Sequence, residues 1–257
     1  MAGGLIMKKL NILLIPTQVV ILFLIISLKV YSQDAGEFRP TQPPRIPVTD
    51  YDSGSHRIFD FLYMHYSFED FTLDGFGLGH NYVDMYEQAA YNIGVGFLYM
   101  EGSSNSLPED LDVYVATLPI NGNIGYRIHG TRETNNIMIF GGIHWMYMWF
   151  EAIYGDYDIY AYGPAFGPMG GLKAEFKVTP AVSIIPYYVF HHTIFDITVE
   201  FEGNKQNVDI DPVTSNLIGF DIKIGAFSIG ALLDAFNNTN NDKITILFSY
   251  DLDYRSG

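Results

Sequence analysis

The feature that most constrains this chain is an alternation of apolar and polar residues, carried over runs too long for a soluble sheet. Ile218, Phe220, Ile222 and Ile224 alternate with Gly219, Asp221, Lys223 and Gly225. Tyr91, Ile93, Val95, Phe97 and Tyr99 alternate with Asn92, Gly94, Gly96 and Leu98. Ile244, Ile246, Phe248, Tyr250, Leu252 and Tyr254 alternate with Thr245, Leu247, Ser249, Asp251 and Asp253. A period of two places successive side chains on opposite faces of a strand. The runs extend for roughly 10 to 17 residues, whereas strands of soluble sheets average about 5 to 6. A tilted strand crosses a bilayer core with about 9 to 11. Length therefore predicts membrane-crossing strands, with apolar side chains toward lipid and polar ones inside a closed cylinder.

Composition agrees. Hydrophobic residues make up 48% and charged residues only 17%, against about 25% charged in soluble domains. There are 19 Tyr and 19 Phe but only 2 Trp. The formal net charge of −15 argues against nucleic acid, whose phosphates require clustered Lys and Arg. There are no cysteines, so no disulfide is available.

Residues 1–32 read as a signal peptide: Lys8-Lys9, then an apolar run from Leu10 to Leu28, then Val30 and Ser32 at the −3 and −1 positions of cleavage before Gln33. An uncleaved anchor is the alternative, since the run approaches the length that spans a bilayer. Residues 33–55, with Pro40, Pro43, Pro44 and Pro47, read as an extended periplasmic lead-in. Residues 56–254 form the barrel and 255–257 a C-terminal tail. Short joints at His129–Asn135 and Thr179-Pro180 contrast with longer polar segments at Gly102–Asp110, Glu151–Gly163, Phe201–Pro212 and Asn237–Asp242. Outer-membrane barrels keep short turns inside and long loops outside. Strands then rise over 88–101, 135–150, 181–197 and 226–236 and descend over 111–128, 160–178, 214–225 and 243–254. An even count requires a further pair from 56–80. The fold class is all-β, a closed antiparallel transmembrane β-barrel of about ten strands, with eight as the alternative.

The inward faces carry Arg127, Lys173, Glu175, Lys177, Asp221, Lys223, Asp251 and Asp253. Such charges either pair across strands and close the lumen or line an aqueous path. About eight strands are just filled by side chains, while open channels belong to about 16 to 18, which favours a paired lumen. Tyr91, Tyr99, Tyr126, Trp145, Trp149, Tyr188, Tyr250 and Tyr254 lie towards strand ends, as a girdle of amphipathic rings would. His191-His192 with Thr193 invites an enzymatic reading, but consecutive strand residues face opposite ways, and Ser183 lies too far along the strand from His191 to be activated by it. The seven His show no ligand spacing. Gly75, Gly77 and Gly79 lack the setting of a phosphate cradle and read as a turn or as relief of crowding.

At this point the chain resembles the small outer-membrane β-barrel proteins, the group with OmpA-like and porin-like barrels. The most specific piece is the final strand, where Phe248, Tyr250, Leu252 and Tyr254 resemble the C-terminal signal read by the barrel-assembly machinery, although Arg255-Ser256-Gly257 follow the last aromatic. The resemblance implies outer-membrane lipids and the assembly machinery as partners, no cofactor, and a structural or surface role with at most a narrow pore for small solutes. A lipid-modifying outer-membrane enzyme and a soluble exported barrel binding a hydrophobic ligand remain the alternatives.

Overall fold

The structure is a computed structural model that describes residues 54–254, apart from 69–70, 87, 105–110, 132–133, 155–156, 202, 209 and 235–240. The expected signal peptide, most of the lead-in and the tail lie outside the described residues. Among the described residues every regular element is a strand: β1 (Gly54–Phe68), β2 (Phe71–Met85), β3 (Ala89–Ser104), β4 (Leu111–His129), β5 (Asn136–Tyr154) and β6 (Tyr157–Thr179). These are followed by β7 (Val182–Phe195), β8 (Ile197–Phe201), β9 (Asn204–Val208), β10 (Val213–Ile224), β11 (Phe227–Asp234) and β12 (Asn241–Asp251).

All pairings are antiparallel neighbours, and the ring closes where β1 pairs with β12, from Ile58↔Asp251 to Phe68↔Asn241. Ten strands form the ring. β8 and β9 prolong the β7–β10 hairpin beyond its wall, and β8 pairs with β6 from Ile159↔Phe201 to Tyr162↔Thr198. Residues 56–80 belong to two strands, β1 and β2, and the ten-stranded reading holds over the eight-stranded one. The tight connections, at 86–88, 130–135, 180–181 and 225–226, all lie at one end, with Gly54 and Asp251. We call this the turn end and the opposite one the loop end.

Two polar segments expected to be loops are largely sheet. β5 runs to Tyr154 and β6 resumes at Tyr157, and β9 occupies Asn204–Val208. A hairpin standing in water needs no apolar face, so its side chains lose the alternation while its backbone keeps pairing.

The faces are inverted relative to a soluble barrel. Phe61, Ile93, Ile120, Ile143, Phe220 and Phe248 point outward and are exposed, whereas Asp60, Asn92, Asn121, His144, Asp221 and Thr245 turn inward. An apolar exterior of this extent exceeds what a monomer tolerates in water. Transfer of each large apolar side chain out of water is worth about 1.5–3 kcal/mol, so the wall belongs in lipid. A soluble carrier with an oily interior and a water-facing exterior would show the opposite pattern.

Candidate functional site

The lumen is the place where this chain concentrates its chemistry, and it is built in layers. Towards the loop end, Leu62, Met64, Leu73, Leu98, Met100 and Val115 of β1–β4 pack with Ala152 of β5 into one apolar cluster, against which Ile159 of β6 and Leu247 of β12 lie. The glycines of β2 make this possible. At Gly77 a Cβ would overlap Leu62 Cδ1, and at Gly75 it would overlap the Met100 side chain. Crowding relief, one of the two roles open to these glycines, is thus the one Gly75 and Gly77 have, whereas at Gly79 a Cβ would come no closer than 3.4 Å to Asp60. A second cluster, including Ile58, Val83, Met138 and Ile185, lies nearer the turn end.

Between them sits a cavity of about 60 Å³ to which all ten ring strands contribute, room for a few waters at roughly 10–15 Å³ each. Its polar wall is Asp60, Asn81, Asn121, His144, Lys173 and Asp221, and its apolar wall includes Leu62, Val189, Leu232 and Leu247. Asn81 Nδ2 donates to Asp60 Oδ2 at 2.5 Å, and Tyr187 Oη donates to Asp221 Oδ1 at 3.3 Å. Gly94 leaves the space into which Asn81 and Asn121 reach, since a Cβ there would overlap Asn81 Oδ1.

The residues expected in the lumen are placed as follows. Arg127, Lys173, Glu175, Asp221, Lys223 and Asp251 are inward and buried. Glu175 accepts from Asn136 Nδ2 at 2.8 Å and from Ser183 Oγ at 2.9 Å. Asp251 meets His56 Nδ1 at 3.1 Å. Lys223 Nζ lies 5.8 Å from the centroid of the Tyr254 ring. Lys177 is only half-buried near the end of β6. Asp253 is not in the lumen. β12 ends at Asp251, so the alternation does not carry into the turn, and Asp253 instead pairs with Arg57 (2.7 Å to Nη2, 2.9 Å to Nε and to the backbone nitrogen). Those hydrogen bonds hold its carboxyl down at about 2. Nothing in the sequence singles out Asp60, Asn81 or Asn121, because the faces of 56–80 are hard to tell apart and neutral amides carry no motif.

His191 and His192 face opposite ways, as a strand requires. His192 is half-buried and meets Thr214 Oγ1 at 3.0 Å. His191 is inward, 3.3 Å from Thr193 Oγ1, and His144 of β5 approaches the same hydroxyl at 2.9 Å. The two rings stand edge to face, 5.3 Å apart. A hydroxyl between imidazoles is one ingredient of nucleophilic catalysis, but Thr193 is fully buried. Ser183 is committed to Glu175. Among the described residues, no three His, Cys, Asp or Glu side chains gather as a metal site.

The outer wall carries two aromatic zones. Towards the loop end, strand register aligns Tyr63, Phe76, Tyr99, Trp149 and Tyr162 in one cross-strand row, with Ala116 between Tyr99 and Trp149. The next row toward the loop end is polar: His65, Asp74, Glu101, Tyr114, Glu151, Tyr160 and Glu200. Near the turn end, Tyr82, Tyr91 and Tyr126 place hydroxyls on Ser55, Asp84 and Gln88 at 2.7, 2.8 and 2.9 Å. Tyr250 and Tyr254 are outward at the same end, Trp145 lies four residues below Trp149 on β5, and Tyr188 donates to Asn216 at 2.5 Å. Aromatic rows bordered by ionic groups bracket an apolar band, the layout of a wall that meets headgroups at both edges.

Fold and faces together define the class: a transmembrane β-barrel with a filled, polar-waisted lumen. No family model and no curated protein matches the chain. Solved structures similar to it include the translocator domain of the autotransporter NalP from Neisseria meningitidis (9% identity, TM-score 0.49, covering 80% of this chain and 90% of that one). The transport unit of the autotransporter AIDA-I from Escherichia coli is another (7% identity, TM-score 0.47, covering 82% and 93%). Neisserial surface protein A is a third (12% identity, TM-score 0.32, covering 79% and 98%). The membrane assignment rests on the side-chain faces described above rather than on these likenesses.

Proposed function

We propose that the protein is an integral outer-membrane barrel with a structural and surface-presenting role, closed to diffusing solutes, whose loop end and β8–β9 hairpin face outward from the cell. The observation that carries this reading is the apolar cluster across the loop-end lumen, where Leu73, Leu98 and Val115 have no solvent exposure. A conducting path needs water, and an apolar constriction of packed side chains excludes it. The lumen charges act in this reading as a cross-strand network that fixes the ring, with Glu175 bonded to Asn136 and Ser183 and Asp251 to His56. Phe248 and Tyr250 of β12, with Leu252 and Tyr254 beyond it, serve as the insertion signal read during assembly.

Planar-bilayer recording tests the reading. The purified, refolded barrel is expected to insert without discrete conductance steps. Recurrent single-channel steps that scale with protein added would establish a pore and overturn the closed-barrel function.

A further inference from the structure

The outer wall is not evenly filled. Near the turn end, an open groove of about 380 Å³ runs across β1, β12, β11 and β10, over the seam that closes the ring. Sites that hold a small molecule measure about 300–1,000 Å³. Register gives the groove two outward rows. Phe59, Tyr250 and Phe227 align nearer the turn end, and Phe61, Phe248 and Ile229 align one row further in. The register partners Ser228 and Ser249 lie between them. On a wall that stands in lipid, a groove of this lining is filled by hydrocarbon, and the headgroup is what remains to be fixed.

One row beyond Phe59 the face turns from apolar to ionic. Arg57 is the next outward residue of β1, about 7 Å along the strand, and it pairs with Asp253. Neither partner is saturated. A guanidinium has five N–H donors, of which Asp253 takes one from Nε and one from Nη2. The Arg57 side chain is 57% exposed, so its other donors are open to a second acceptor. A carboxylate has about four acceptor sites, and Arg57 occupies three of those on Asp253 through its backbone nitrogen, Nε and Nη2. One cation beside one anion, each with capacity left, complements a headgroup that carries one of each. A purely anionic headgroup would set a like charge against Asp253, and a quaternary ammonium has no N–H to offer it.

We propose that this groove binds one zwitterionic phospholipid with a primary ammonium, of the phosphatidylethanolamine type. An acyl chain lies over Phe59, Phe61, Phe248 and Ile229, the phosphate accepts from Arg57, and the ammonium donates to Asp253. The lipid thereby spans the strands that close the ring. This site depends on the wall standing in lipid and not on the lumen being closed.

Native mass spectrometry of the full chain tests it, after refolding in detergent micelles with equimolar dioleoyl phosphatidylethanolamine, phosphatidylglycerol and phosphatidylcholine. One phosphatidylethanolamine per barrel is expected to survive removal of the detergent, several-fold in excess over either other lipid. Arg57→Gln should lower that retention several-fold. Asp253→Asn should lower it as well and raise retention of phosphatidylglycerol, because the guanidinium is then unopposed. Ile229→Trp fills the groove and alters no charge, so it should also displace phosphatidylethanolamine, and it keeps the test open if the headgroup variants do not fold. Equal retention of the three lipids by wild type, the behaviour of a general lipid annulus, refutes the site. So does a second copy of the chain bound in place of lipid, or folded variants that all match wild type. None of these readouts is a conductance, so a failure of the lipid site and a failure of the closed-barrel reading are distinguishable.

Discussion

A single arginine placed on the outer wall should report how deep in lipid that wall lies. Ile143 is the sharpest position, outward on β5 and 69% exposed in the bare barrel. It lies six residues below Trp149 of the loop-end aromatic row. At about 3.3 Å per residue and a strand tilt of about 40°, that separation is about 15 Å along the membrane normal, near the middle of an apolar band about 25 Å tall. Ile128, outward on β4 and two residues before the positive-φ turn residue Gly130, lies instead at the turn-end rim. Arginine near the midplane of such a wall costs about 2–4 kcal/mol and near an interface about 0–1. Ile143→Arg should therefore destabilise the folded barrel by about 1–4 kcal/mol more than Ile128→Arg does. Urea titration of folding into lipid vesicles, followed by the fluorescence of Trp145 and Trp149, measures both. Equal costs at the two positions would mean that the apolar face is not in hydrocarbon, and the inversion of faces would lose its explanation.

Other outcomes follow from particular contacts. Gly77→Ala puts a methyl group into the place of Leu62 Cδ1 and should cost about 1–3 kcal/mol in the same titration, as overpacking does; a neutral result would show that the loop-end cluster is loosely packed. Arg57 holds the Asp253 carboxyl at about 2, below its unfolded value of about 3.9. The contribution of that pair is present above pH about 4 and fades as pH falls toward 2. The decline in urea midpoint over that interval should be shallower in Arg57→Ala, and an unchanged profile would assign the acid sensitivity elsewhere. Gly203 at the tip of the β8–β9 hairpin has a positive φ of 79° and nothing within reach of an added Cβ, so an epitope inserted there should be stained on intact cells without loss of folded protein. Staining only after permeabilisation would reverse the proposed orientation.

The chain announced its ring strands because burying one face in lipid imposes a strict alternation on each of them. The extents of β3 to β7 and of β10 to β12 were legible within a few residues for that reason. β1 and β2 were harder, since Gly75, Gly77 and Gly79 replace the inward side chains of β2 and blur its two faces. The β8–β9 hairpin looks like a loop in the sequence because nothing apolar constrains strands that stand in water. In the lumen, formal charge made Lys173, Glu175, Asp221 and Lys223 conspicuous. Asn81, Asn121 and the convergence of His144 on Thr193 depend on strands far apart in sequence, and no local spacing encodes a meeting across a cylinder.

The seam between β1 and β12 has a consequence for biogenesis. The strand that completes the cylinder comes last of the ring in chain order, and without it the ring presents two open edges, those of β1 and β11, with the amides and carbonyls of their free sides unpaired. Lipid cannot accept such edges. The ring can therefore close in lipid only after β12 has joined β1, so that losing β12 is as damaging as losing β1.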